Sequence, residues 1–387
     1  MSANMEEPEM LAFDSAPPPP TTELSINKPS RGHESYIALV WRRLRRSWTG
    51  MAGLVLVVLL IVMAIFADFF APMDPKATDV GFAPPQVMSF HDKDGNFVFQ
   101  PRVYALSDSE ELDPVTFQPI VGIDYDNPRL LGFFVKGAEY RLFGLIPASR
   151  HFFGSTDGQP VHFLGTDKFG RDVLSRAIIG SRISLTIALT VVFIVTIIGT
   201  TVGMVSGYFG GTFDIWLQRF VELVLAFPQL PLYLALTSLI PVTAPTNVFL
   251  AFVIAVMSAL GWAQMSREVR GKTLALARID YVRAAMAVGA TDTRIIMQHI
   301  FPNVMSHVIV AVTLHIPSVV LLESFLGFLG FAVKPPLISW GLMLQDTATY
   351  SVIGSYPWIL SPVGFVLVTV FAFNALGDGL RDAVDPY

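Results

Sequence analysis

Five stretches of the chain carry no charged residue: Ser47–Ala67, Ile183–Phe213, Leu223–Ser266, Ile295–Leu322 and Thr347–Gly377. A helix needs about 20 apolar residues to cross a bilayer, so each stretch can hold a span. The third is long enough for two. Pro241 and Pro245 divide it, because proline lacks an N–H and turns its predecessor away from helix. The pattern therefore predicts six spanning helices, near residues 49–70, 182–206, 218–240, 248–267, 303–325 and 357–377. Between the first two lies Pro72–Pro160, rich in Pro, Gly, Asp and aromatics, with strand-like pieces at Asn96–Gln100 and Leu130–Val135. That composition predicts a small, mostly β or irregular subdomain.

Short-loop lysine and arginine set the orientation. Arg42, Arg43, Arg45 and Arg46 precede the first span, and Arg267, Arg270, Lys272, Arg278, Arg283 and Arg294 crowd the loop between the fourth and fifth. With the N-terminus inside, six spans put both clusters and the C-terminus in the cytoplasm. The loops Pro241–Asn247 and Gly330–Tyr356, in which Lys334 is the one lysine or arginine, then face out. The expected organisation is a cytoplasmic N-terminal segment (1–46), a first helix (47–71), an extracytoplasmic insertion (72–180), a core of five further helices (181–380) containing a cytoplasmic loop (267–302), and a short cytoplasmic C-terminus (381–387). Met1–Ser30, with its acidic residues and Pro17–Pro20 run, lacks the basic start and early apolar stretch of a cleaved signal. It reads as a disordered tail, with the first helix an uncleaved anchor.

Composition narrows the class further. Of 387 residues, 52% are hydrophobic and only 15% charged, with a mean hydropathy of +0.55. That excludes an ordinary soluble enzyme and places the chain among all-α polytopic membrane proteins in contact with lipid. A net charge of -5 gives no electrostatic support to a nucleic-acid partner. The absence of cysteine removes disulfides, thiolate zinc sites and cysteine nucleophiles.

Catalytic chemistry is hard to assemble. Gly271-Lys272-Thr273 looks like the end of a phosphate loop, but Ser266 stands where a glycine is needed and no strand precedes it. His299, His307 and His315 recur every eight residues, a step of about 80° around a helix, so they are expected to fan apart rather than converge on a metal. Gly199, Gly203 and Gly207 form a stripe of the kind that lets helices approach in lipid. It could pack the bundle internally or form a dimer contact. Glu323 is the costliest residue in the apolar runs, either a pathway or gate group or a side chain reaching the outer interface. The loop Arg267–Pro302 reads as short helices with one small-sided face, Ala284, Ala285, Ala287, Gly289 and Ala290. Such a face can lie in a groove of another protein while Arg283 and Arg294 orient it.

At this loop a family resemblance becomes visible. Asp280–Asp292 (DYVRAAMAVGATD), leading to His299–Asn303 (HIFPN), resembles the EAA loop of ABC importer permeases in its peptide/nickel form, the oligopeptide and dipeptide permease C family. Leu164–Arg176 (LGTDKFGRDVLSR), Glu323–Pro336 with Ser339–Leu344, and Phe373–Pro386 (FNALGDGLRDAVDP) resemble further motifs of that family. Arg283 stands where the loop's eponymous Glu would be. The resemblance implies a type I permease subunit of the bacterial inner membrane, with Tyr281, Arg283, Ala284, Ala285, Gly289, Ala290 and Asp292 docking an ATPase. It implies a second homologous permease subunit, two ATP-binding subunits that use ATP and Mg, and an extracytoplasmic solute-binding protein. No cofactor is expected on this chain, and the substrate is expected to be peptides or oligosaccharides. Rival readings are a secondary transporter, which would need coupling carboxylates in the spans, or a sensor or structural membrane subunit.

Overall fold

The computed structural model describes residues 36–112, 114, 119–142, 144–241 and 243–384. The tail Met1–Ser30 and the end of the C-terminal motif, Pro386, lie outside the described residues. A short helix, α1 (Tyr36–Leu44), precedes α2 (Trp48–Ile65), whose start is capped by Ser47 Oγ accepting from the Gly50 N–H at 3.1 Å. After the single turn α3 (Ala67–Phe70), the insertion forms an antiparallel sheet in the order β1 (Ser89–His91), β2 (Phe97–Leu112), β3 (Pro119–Leu142), β4 (Ile146–Ser155). The expected strand pieces fall at the start of β2 and within β3. Val103, Leu131 and Val161 make a small core beneath the sheet, well separated from the helical core.

The helical core follows. α4 (Val173–Phe209) has 37 residues, about 55 Å at 1.5 Å per residue, against a hydrocarbon layer of about 30 Å. It therefore projects beyond the bilayer, mostly on the side of the sheet. α7 (Thr246–Leu276) and α10 (Phe301–Phe328) are similarly long, and α13 (Ser361–Val384) closes the bundle. Among the described residues, five helical segments are long and apolar enough to cross a membrane.

The region expected to hold a single spanning helix at 218–240 is different. The chain instead forms α5 (Gly211–Ala226) and α6 (Gln229–Ser238), bent by 80° at Phe227-Pro228. Pro228 breaks the helix for the same reason that Pro241 and Pro245 do. The loop expected over 267–302 is also much shorter. Helix α7 runs on to Leu276, so Arg267, Arg270 and Lys272 are helical. Only α8 (Asp280–Ala287) and its flanks form the connection before the one-turn α9 (Asp292–Arg294). A π-helical stretch, Ile295–Ile300, joins α9 to α10, with the Phe301 N–H donating to Ile296 O five residues back. Beyond α10, α11 (Trp340–Leu344) packs against α4, α10 and α13, and the short helix α12 (Tyr350–Ser355) follows it.

Two glycine-lined seams hold the bundle. Gly199, Gly203 and Gly207 all face α7: a Cβ on Gly203 would lie 2.6 Å from Ser266 O, and one on Gly207 2.8 Å from Thr273 Cβ. Gly50 and Gly53 of α2 meet α13 at Gly379 and at Ala372–Leu376 in the same way. Without a hydrophobic drive between helices in lipid, such close backbone packing supplies the association energy.

Candidate functional site

α8 stands at the end of the bundle opposite the sheet, which the sequence expectation makes the inner end, with the sheet end the outer one. Val282 is fully buried and anchors it, and Ala285 and Ala290 also pack inward on the main core. Facing out are Ile279, Tyr281, Arg283, Ala284, Met286 and Val288, the last 85% exposed. The small-sided face is thus divided: Ala284 is open to a partner, whereas Ala285 and Ala290 are occupied by the chain's own core. Gly289 has a separate reason to be glycine. It sits at φ +82° and ends α8, with the Ala290 N–H donating to Ala285 O and the Gly289 N–H to Met286 O, both at 3.0 Å. That left-handed cap is strained for any side chain.

Polar bonds tie this end to the long helices. Arg270 of α7 grips Asp214 of α5 with two bonds of 2.6 and 2.5 Å, and Ser206 of α4 donates to the same carboxylate. Arg270 is therefore a structural clamp where the sequence suggested a loop charge. Asp292 accepts from Tyr208 Oη at 2.6 Å, linking the start of α9 to α4. Tyr281 Oη accepts from Asn303 Nδ2 at 3.1 Å, so α8 is linked to the first turn of α10. Gly271-Lys272-Thr273 is ordinary helix, with Thr273 Oγ1 bonded to Val269 O, and so lacks the loop that would gather N–H groups around a phosphate.

A cavity of about 830 Å³ opens at the same end among α1, α7, α10 and α13. His307 and His315 both line it, whereas His299 does not. A step of about 80° leaves two residues within one broad helix face. His315 Nε2 lies 3.9 Å from Glu268 Oε2, and Gln264 donates to the same carboxylate at 2.9 Å. Because α7 is longer than expected, Glu268 is a carboxylate inside a long membrane helix.

Glu323 is not at the outer interface. It is fully buried under α11, with Oε2 accepting from Ser184 Oγ at 3.0 Å, and Ser184 Oγ accepts in turn from the Trp340 N–H at 3.1 Å. The sequence could not show that α11 folds back over this turn of α10. Glu323 thus joins α4, α10 and α11 and lines none of the cavities described here.

At the outer end the motif Leu164–Arg176 meets residues from far along the chain. Lys168 pairs with Asp346 at 2.7 Å, Trp358 Nε1 donates to Thr166 O at 3.1 Å, and the Ala83 N–H donates to Thr166 Oγ1 at 2.7 Å. Asp172 caps α4 by accepting from the Ser175 N–H at 2.7 Å and also bonds His162 Nδ1 at 3.1 Å. His162 Nε2 faces Asp79 at 3.3 Å. A carboxylate thus faces each ring nitrogen of His162. Burial pulls its pKa down, but Asp172 and Asp79 outweigh burial and hold it above the ordinary value, while the bond to His162 lowers Asp79.

Comparison with known proteins agrees with this layout. The family described as "Binding-protein-dependent transport system inner membrane component" matches residues 199–387, and "N-terminal TM domain of oligopeptide transport permease C" matches residues 35–85. The oligopeptide transport system permease protein OppC of Escherichia coli K12 is 45% identical over 231 residues, 59% of this chain and 74% of the relative. The glutathione transport system permease protein GsiD of Shigella dysenteriae is 31% identical over 346 residues, 89% of each chain. The dipeptide transport system permease protein DppC of Bacillus subtilis is 35% identical over 225 residues, 58% of this chain and 68% of the relative.

Proposed function

The chain belongs to the binding-protein-dependent ABC importer permeases of the oligopeptide permease C type, and from that premise we propose that it forms one half of a peptide translocation pathway in the bacterial inner membrane. Its partners are a second, homologous permease subunit, two ATP-binding subunits and an extracytoplasmic solute-binding protein. Both termini and α8 face the cytoplasm, and the sheet faces out. ATP and Mg are handled by the ATP-binding subunits, and this chain carries no catalytic role.

One observation carries the reading: α8 is anchored by one buried side chain and presents an exposed apolar ridge, Ile279, Met286 and Val288, beside Tyr281 and Arg283. Exposed apolar residues grouped with an aromatic and an arginine suit a protein interface. The bonds Tyr281–Asn303 and Tyr208–Asp292 supply a route by which movement of α8 reaches α10 and α4. Glu323 acts here as an internal tie of the outer half and moves with it.

The test is reconstitution of the permease pair with its ATP-binding subunits in liposomes, followed by uptake of labelled peptides and oligosaccharides. ATP- and binding-protein-dependent peptide uptake that resists a protonophore is expected. Uptake that collapses with the proton gradient and ignores ATP would refute the proposal.

A further inference from the structure

The motif Leu164–Arg176, at the far end of the bundle from α8, builds a rigid, cation-flanked knob. Phe169 is 56% exposed at the tip of the turn Asp167–Arg171. Lys168 Nζ lies 5.0 Å and the Arg171 guanidinium 4.6 Å from its ring centre, so two cations pack on the ring. The turn cannot easily yield. Asp167 Oδ1 accepts from the N–H groups of Phe169 at 2.8 Å and Arg171 at 3.1 Å, and Oδ2 accepts from Arg171 Nε at 2.7 Å. Gly170, at φ +73°, lies against the Asp79 backbone with no room for a Cβ.

Beside the knob is a cavity of about 330 Å³ lined by Lys76, Lys168, Arg171 and Arg176 against Asp167 and Asp346. That is an excess of positive charge in a chain whose net charge is -5. The cavity begins where α4 begins, at Val173, while the apolar part of that helix starts near Ile183, about 15 Å further on. The cations thus stand clear of lipid headgroups. A small solute has no use for a projecting ring, whereas a folded protein with a notch does, and exposed aromatic and arginine groups dominate such contacts.

We propose that Phe169 and the adjoining cationic cavity dock an acidic, notched surface of the extracytoplasmic solute-binding subunit. The ring fills the notch, and carboxylates on its rim meet Lys76, Lys168 and Arg171. This assignment rests on the importer reading above. It assigns the role of the motif to partner recognition and predicts fast, salt-sensitive association, because complementary charge steers encounter.

The test uses the complete importer in nanodiscs and the solute-binding subunit that drives its uptake, with binding followed by surface plasmon resonance at low and high salt. Phe169→Ala should weaken binding about 10- to 30-fold, as truncation of an interface hot spot does. Lys76→Glu, an exposed change that disturbs no bond within the turn, should slow association at low salt and flatten the salt dependence. Wild-type affinity and salt dependence in both variants would overturn the docking assignment while leaving the importer reading intact. A wild-type importer whose uptake needs no binding subunit would overturn both.

Discussion

At the outer end of this permease, polar groups from segments more than 150 residues apart converge: Thr166 with Trp358, Lys168 with Asp346, Ser184 with Trp340. At the inner end, long helices are pressed together along a glycine seam and clamped by Arg270–Asp214, while α8 is held by Val282, two inward alanines and the Tyr281–Asn303 bond, with its apolar ridge in the open. The outer end is pre-organised by polar groups that mostly bond one another, leaving Phe169 and Lys76 exposed on a rigid base. The inner end leaves surface unsatisfied. An element that must follow a moving partner is better built the second way, since few internal contacts oppose its displacement.

Breaking the seam should have the largest effect. Gly203→Leu places a side chain where even a Cβ lies 2.6 Å from Ser266 O. Overpacking of this kind costs about 1–3 kcal/mol where neighbours can shift, and here backbone must move. A large drop in melting temperature in detergent, or loss of the monodisperse peak, is expected, and unchanged melting would show that the seam tolerates volume. Next come the two alanines of α8, which separate packing from docking. Ala284→Trp should leave melting unchanged but weaken co-purification of the ATP-binding subunits about 5- to 150-fold, the equivalent of overpacking strain at an interface. Ala285→Trp should lower the melting temperature of the permease alone, because that side chain faces its own core. Equal behaviour of the pair in both assays would contradict the division of the face.

At the outer end, His162→Gln probes the buried imidazole between its two carboxylates. The folded-state pKa of His162 lies above its ordinary 6.5, so the stabilisation it supplies is fully present below about pH 6.5 and fades as pH rises through the folded value. The variant should therefore lose most stability, relative to the parent, in acid, and the gap should close towards alkaline pH. Melting curves across pH 5 to 9 decide it, and a gap that widens with pH reverses the sign of the argument. The smallest effect is expected from Arg283→Gln. A solvent-facing charge contributes little, so ATPase co-purification should fall by less than about fivefold.

Charge-free stretches, basic clusters and the motif at Asp280–Asp292 were enough to determine a polytopic helical permease, because lipid forbids charge along a span and a loop read by a partner keeps its residue types in register. The same proline logic that divided 223–266 at Pro241 applies at Pro228, and the break between α5 and α6 was legible there. The helix extensions were not. Arg267, Glu268 and Arg270 look like loop residues by charge, yet once a helix leaves the hydrocarbon it carries charged residues freely, so polarity marks the membrane boundary rather than the helix end. Which of Ala284 and Ala285 faces a partner was likewise undecided, since both are small and one residue of rotation, about 100°, exchanges inside for outside. Tertiary structure alone decided the outer knob and the burial of Glu323. Both depend on α11 and the residues around Trp358 folding back over α4 and α10, a meeting of distant segments that no local pattern of hydrophobic and polar positions encodes.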